Sequence, residues 1–139
     1  MPAAVLILVI LAALALDSAL VYLGQRQLSD AAASAAADAA GSISDAAFYQ
    51  HGLVILNPAQ AVQVAMASIG AQQFSQVRLS GSPDIEVVGN QVCVALTGSV
   101  THIFGLAIPG IDHITTVMAR ATATAAGASG PVVKHRRVC

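Results

Sequence analysis

A long apolar run opens the chain and continues into an alanine-rich stretch. Residues 1–16 carry no charge, Asp17 follows, and apolar character resumes at Ala19 and lasts to Leu23. Residues 31–40 are alanine except for Ser34 and Asp38. Because alanine has the highest helix propensity and loses no side-chain entropy in a helix, this pattern predicts one continuous helix from the first residues onward.

The first part of this helix has the length and polarity of a membrane span. Residues 1–23 form a helix about 35 Å long, enough to cross a hydrocarbon core of about 30 Å. No basic region precedes the apolar run and no helix breaker follows it, which argues against a cleaved signal peptide and suggests a mature end left after a basic leader was removed. The predicted membrane or filament helix residues are Val5, Leu8, Leu11, Leu14, Asp17 and Leu20.

The position of Asp17 in this helix allows two interpretations. An acidic residue inside a span costs about 2.5 to 3.5 kcal/mol on insertion scales, so it marks a functional site by default. In a filament, its carboxylate would then set the register by meeting a neighbour's N-terminal amine or Arg26. Alternatively, Asp17 lies at the membrane interface and ends a short span.

The second part of the helix is amphipathic. Asp30, Ser34 and Asp38 recur every four residues and form a polar stripe, while leucine and alanine cover the opposite side. Small residues allow close helix packing. This predicts a packing face of Leu28, Ala32, Ala35 and Ala39, which contacts neighbouring helices and the chain's own sheet at different heights along the helix.

A second helix begins at Asn57-Pro58, where Asn is a good N-cap and Pro suits the first helical position. It is expected to end near Gly70. The predicted core-facing stripe of this helix is Ala61, Val62, Ala65, Met66 and Ile69.

The C-terminal half changes to a period of two. Segments 77–79, 85–88, 91–100 and 113–124 are rich in β-branched residues, and Gly89-Asn90 is a hairpin signal. The pattern predicts an antiparallel meander of about four strands that rests on both helices, an α+β fold. We divide the chain into an N-terminal helix, residues 1–48, and an α+β head, residues 49–139.

The connection between the last two strands is unusually apolar. It contains Phe104, Leu106 and Ile108, whereas connections generally run over the surface and are polar. Either it folds back over the core, or it contacts a neighbouring subunit or the membrane.

Charge and motif content narrow the function further. The net charge is −1 with only 9 % charged residues, which gives no basic face for nucleic acid. The histidines, His51, His102, His113 and His135, lack the spacing of a zinc site. No motif brings a nucleophile, base and acid together. The sequence therefore predicts no enzyme, cofactor or metal centre.

Several short motifs resemble TadE/TadG-like proteins of the tight-adherence (Flp) branch of type IV pilus systems. In that family an apolar helix leads into an Asp, an aromatic and Arg-containing stretch, and an alanine-rich repeat. The matching residues are Leu14-Ala15-Leu16-Asp17, Val21-Tyr22-Leu23, Gln25-Arg26-Gln27-Leu28, Asp30-Ala31-Ala32, the Asn57-Pro58 helix, Gly89-Asn90-Gln91-Val92, Phe104-Gly105-Leu106 and Ala119-Arg120-Ala121-Thr122-Ala123.

This resemblance implies a pilin-like subunit, major or minor, of an extracellular Tad pilus at the cell surface. It implies insertion in the inner membrane before assembly, leader removal by a prepilin peptidase, contact with the pilus assembly machinery, and polymerisation with copies of itself or related pilins. The chain departs from type IV pilins at Val5, where they usually carry Glu. The alternatives are a membrane-anchored assembly or secretion factor that is not polymerised, and a small binding or enzymatic domain on an anchor.

The two cysteines give a testable prediction. In an extracytoplasmic compartment a Cys93–Cys139 bond would pin the tail across the sheet and stabilise the fold by about 2 to 4 kcal/mol. A buried free Cys93 with a separate terminal thiol, or a Cys139 bond between subunits, are the alternatives. For the intramolecular bond, the intact mass stays unchanged after alkylation without reductant, whereas two labelled thiols would exclude it.

Overall fold

Three helices and four strands form the part of the chain that the computed structural model describes, residues 2–104 and 113–127. This is the predicted α+β architecture, with a long N-terminal helix and a four-stranded antiparallel sheet. In chain order the elements are α1 (Pro2–Ala40), α2 (Asp45–His51), α3 (Pro58–Ala71), β1 (Arg78–Leu79), β2 (Asp84–Val88), β3 (Gln91–Thr101) and β4 (Ile114–Thr124).

Helix α1 has 39 residues and is about 58 Å long. The large side chains of its first half are exposed, whereas Leu28 and the alanine face of its second half are buried against the sheet and α3. The helix ends at Ala40, where the chain turns at Gly41. The predicted helical segment 1–48 is therefore too long, and the second half of α1 belongs to the same core as the head.

Residues 45–51 form the separate helix α2, whereas the sequence prediction extended the N-terminal helix through residue 48. The Ala47 N–H donates to the Ser44 hydroxyl at its start, and Gly52 ends it with a positive φ of 65°. Helix α3 follows the sequence prediction, since the Asn57 side chain accepts from the Gln60 N–H and Pro58 occupies the first turn.

Strand β3 is the centre of the sheet. Strand β4 pairs with its full length on one side, with Gln91 opposite Thr124 and Thr101 opposite Ile114. Strands β1 and β2 both pair with the other side of β3, near its end and its start respectively. They are two segments of one interrupted edge, so the predicted meander order is wrong for β1. The hairpin between β2 and β3 turns at Gly89, which has a positive φ of 59°.

The core lies between the sheet and a layer made of α3 and the second half of α1. Alternate residues of β3 face this layer and are buried, as expected for a strand with one face on the core. The alanine face of α1 packs on the same residues. The largest fully buried side chains are Leu28, Leu96, Val92, Val94 and Val100.

The predicted core stripe of α3 is too wide. Ala61, Ala65 and Ile69 are buried, but Val62 is 37 % exposed and Met66 is 47 % exposed. The placement of Met66 in the core was therefore wrong. Within the predicted stripe only the positions spaced by four residues are buried, whereas Val62 and Met66 lie on the exposed side of α3.

Two glycines mark the closest approaches in the core. A Cβ added at Gly24 of α1 would lie 2.5 Å from Val100 Cγ2, and one added at Gly98 of β3 would lie 2.5 Å from Val77 Cγ2. Real Cβ atoms essentially never show such distances. Glycine is therefore required where α1 crosses the end of β3.

We predict that Gly24→Ala destabilises the protein despite the better helix propensity of alanine. Replacing an interior helical glycine gains up to about 1 kcal/mol, whereas overpacking a core costs about 1 to 3 kcal/mol. Val100 is 2 % exposed, and a β-branched side chain has little rotamer freedom with which to move aside. Urea unfolding of the full chain in detergent micelles measures the change.

Gly70→Ala in α3 is the matched control, since a Cβ there meets nothing within 4 Å. It is expected to be neutral or stabilising. In a double-mutant cycle, Gly24→Ala and Val100→Ala should be less destabilising together than the sum of the single changes. Equal stability of Gly24→Ala and Gly70→Ala would contradict the close approach.

Candidate functional site

The first half of α1 is the most unusual surface of the protein. Its large apolar side chains face outward in every direction, with Val5 64 %, Leu8 68 %, Leu11 61 % and Leu14 52 % exposed. Within the described residues, α1 is the one helix long and apolar enough to cross a membrane by length and composition, and its most apolar window is 0 % buried. A helix that is apolar all round needs a lipid or protein environment.

Asp17 lies where this exposed half meets the head. Its Oδ1 accepts hydrogen bonds from the backbone N–H groups of Ile103, at 3.0 Å, and Phe104, at 3.3 Å. The Asp17 side chain is 13 % exposed. Within the subunit the carboxylate thus holds the turn that follows β3, a role that neither sequence reading of Asp17 included. Its proposed role in filament register stays a prediction.

His102 completes a small polar cluster at this junction. Its Nδ1 lies 3.9 Å from Asp17 Oδ2, and its Nε2 lies 2.7 Å from the Thr115 hydroxyl. The backbone N–H of His102 also donates to the backbone carbonyl of His113, so the two histidines do approach each other where β3 ends and β4 begins. The His102 side chain is 19 % exposed. The cluster fastens the ends of β3 and β4 to α1.

Asp17, His102 and Thr115 follow each other as carboxylate, imidazole and hydroxyl, as in a proton relay, but their distances favour a structural role. The 3.9 Å between Asp17 and His102 exceeds the 2.6 to 3.2 Å or so of a working base and its partner. The other carboxylate oxygen is occupied by two backbone N–H groups. In the described residues, no group of three His, Cys, Asp or Glu side chains is arranged to hold a metal ion.

The predicted helix-packing residues lie inside the subunit. Leu28, Ala32, Ala35 and Ala39 are all 0 % exposed in the single chain. Of the two contacts predicted for this face, packing on the chain's own sheet is observed, together with packing on α3. These residues are therefore not available for contact with neighbouring helices, and Leu20 is partly buried against the same core.

The polar stripe of α1 contacts α3. Ser68 donates to Asp38 at 2.6 Å, and Gln72 donates to Ser34 at 2.6 Å. Asp30 lies apart from this contact, in an exposed pair with Arg26 at 3.8 Å. Exposed pairs of this kind contribute little stability. The stripe therefore aligns α3 along α1 through two short hydrogen bonds between side chains.

Two further polar side chains, Gln27 and Asn90, hold irregular segments in place, a role that the sequence pattern predicted for neither. Gln27 donates to the Gln73 carbonyl and accepts from the Gln76 N–H, which ties the segment after α3 to α1. Asn90 accepts from the Leu56 N–H and donates to the Val54 carbonyl. Asn90 carried a turn signal, whereas nothing in the sequence distinguishes Gln27 from its neighbours.

Some of the remaining predicted site residues lie in the part of the chain that the structure describes, and the others lie outside it. Phe104 is 40 % exposed next to Asp17, so it is accessible to a neighbour or a membrane. Leu106 and Ile108 lie outside the described residues. Cys93 is buried in β3, and Cys139 also lies outside the described residues. The bond between the two cysteines stays a prediction.

Comparisons with protein-family models, with curated protein sequences and with solved structures found no match to the chain. The resemblance to TadE/TadG-like proteins therefore remains an expectation that rests on the short motifs quoted above.

We predict that Asp17→Ala loosens the junction and that Asp17→Asn does so less. Alanine leaves the Ile103 and Phe104 N–H groups without their acceptor in the protein, and a hydrogen bond of this kind contributes about 0.5 to 1.5 kcal/mol. Asparagine keeps a carbonyl oxygen at the same place. Hydrogen exchange of these two amides, measured by NMR in detergent micelles, should be fastest in the alanine variant.

Exchange of the Leu56 amide serves as the internal control, because its acceptor is Asn90 at the other end of the head. It should stay unchanged in both variants. Unaltered exchange at Ile103 and Phe104 in Asp17→Ala would show that the carboxylate does not hold this turn.

Proposed function

We propose that this protein is a pilin-like structural subunit, major or minor, of a type IV-like Tad pilus at the cell surface. The first half of α1 is its membrane anchor before assembly and its polymer core afterwards. The head, made of the second half of α1 together with α3 and the sheet, forms the outer part of the filament.

The division of α1 into two halves carries this proposal. One half is apolar and exposed all round, and the other has one face buried in the head of the same subunit. Removing the apolar surface of the exposed half from water lowers the free energy by roughly 25 cal/mol per Å². A bilayer and a bundle of identical helices both provide such burial, so one surface serves the subunit before and after assembly.

Burial of the alanine face restricts where subunits meet. Leu28 and the alanines near it are buried within the head, so assembly through α1 does not use this face and relies chiefly on the half that precedes Asp17. The proposed contact residues in that half are Val5, Leu8, Leu11 and Leu14. Phe104, exposed beside the same end of the head, is a proposed additional subunit contact.

The proposed partners follow from the resemblance together with this architecture. They are copies of the chain or related pilins, the inner membrane before assembly, a prepilin peptidase and the pilus assembly machinery. The second candidate is a membrane-anchored assembly factor that is never polymerised. The same exposed helix favours it equally, since an anchor needs only the lipid contact.

Mechanical shearing separates the two candidates. Cells that express the protein are sheared, the released surface material is pelleted, and the protein and its N-terminal residue are identified by mass spectrometry. A filament subunit is expected in abundance in the sheared pellet. Recovery in the membrane fraction with none in the sheared pellet would replace the polymer role with that of an anchored factor.

A matched pair of double variants tests the surface itself. Leu8→Ala with Leu11→Ala keeps the helix apolar but removes its larger side chains, so membrane insertion should persist while the sheared fraction falls several-fold. Val62→Ala with Met66→Ala makes a similar change on the exposed face of α3 and should leave both fractions unchanged. Equal recovery of the two variants would contradict assembly through this part of α1.

A further inference from the structure

Apolar side chains surround the junction between α1 and the head. Tyr22 is 66 % exposed, Leu23 49 %, Ile103 61 %, Phe104 40 % and Ile114 57 %. All lie at the end of the head from which the first half of α1 projects, because Ile103 and Phe104 contact Asp17 and Ile114 pairs with the last residue of β3. A clustered apolar surface of this kind marks an interaction site.

The position of this cluster along α1 is informative. Tyr22 and Arg26 lie about 7.5 Å and 13.5 Å beyond Asp17, at 1.5 Å per residue. Arg26 and Asp30 are the first charged residues after Asp17 in the sequence, and their side chains are 69 % and 75 % exposed. The boundary between apolar and aqueous surroundings on the free side of α1 therefore lies near Arg26, above the level of Asp17 and the Ile103–Phe104 turn.

We propose that this end of the head is seated in the interfacial layer of a phospholipid bilayer and does not stand clear of it. The lipid-contacting residues are Tyr22, Leu23, Ile103, Phe104 and Ile114. This inference rests on the proposed membrane insertion of α1 and adds that the bilayer also contacts the head.

The hydrogen bonding of the junction suits such a location. Irregular backbone at the depth of a membrane must have its polar groups satisfied by the protein. The Ile103 and Phe104 N–H groups donate to Asp17, the His102 N–H donates to the His113 carbonyl, and the Ser18 hydroxyl donates back to the Leu14 carbonyl. These contacts also reduce the cost of placing the Asp17 carboxylate near lipid, since its oxygen already has two protein donors.

Tyr22 of the cluster and Arg26 just beyond it fit this boundary. Tyrosine is enriched where membrane and water meet, because its ring is apolar and its hydroxyl is polar. Arginine extends its charged end toward water while its stem stays on apolar surface. Tyr22 and then Arg26, one helical turn apart on α1, have the polarity gradient of a helix leaving a bilayer.

The absence of tryptophan from the sequence allows a direct test. Three full-length single-tryptophan variants are reconstituted in phosphatidylcholine vesicles that contain lipids brominated at known depths. Phe104→Trp reports on the proposed contact, and Leu11→Trp reports on insertion of α1. Tyr49→Trp is the control, since Tyr49 is 82 % exposed in α2 at the opposite end of the head.

Phe104→Trp is expected to show blue-shifted emission and several-fold stronger quenching by shallow bromines than Tyr49→Trp. Leu11→Trp should be quenched best by deep bromines.

If Leu11→Trp is quenched while Phe104→Trp behaves like Tyr49→Trp, the head does not contact the bilayer. This inference is then overturned, while the membrane insertion of α1 stands. If none of the three variants is quenched, the proposed membrane insertion of α1 is itself overturned. Blue-shifted but unquenched Phe104→Trp shows that a second copy covers the cluster, which also overturns the lipid contact.

Discussion

The contact between the second half of α1 and the sheet is the interaction on which the rest of the structure depends. Its side chains are small, and at Gly24 there is no side chain at all, so the helix lies very close to β3 and β4. Close packing gives each buried atom many neighbours, which offsets the small apolar area of alanine. Strand β3, in turn, is the partner of every other strand.

Polar side chains complete this contact at both ends of the head and between them. Asp17 holds the turn after β3, Gln27 holds the segment after α3, and Asn90 holds the connection between α2 and α3. Each of these three side chains forms hydrogen bonds with backbone groups of an irregular segment, where no helix or strand provides a partner. Because backbone groups without a hydrogen-bond partner are costly, these side chains allow irregular segments to lie against the core.

Local signals in the sequence were sufficient for most of the fold. The alanine run, the Asn57 cap and the Gly89-Asn90 turn act over a few residues, and the helices and strands they predict are present. The failures involve distant residues. Asp17 meets partners 86 and 87 positions away, and the pairing of β1 with β3 depends on tertiary contacts. The outward position of Met66 depends on which side of α3 faces the core, and a hydrophobic pattern that runs around the helix does not specify that side.

The continuity of α1 also has a mechanical consequence. A rigid helix runs from the exposed half into the centre of the head, without a hinge between the two. A pulling force on the exposed half would act along the long contact with β3 and β4, parallel to the interface. It would therefore load the contacts of α1 together in shear, whereas a force across the interface would peel them apart in succession. The head is thus built to bear tension along the helix axis.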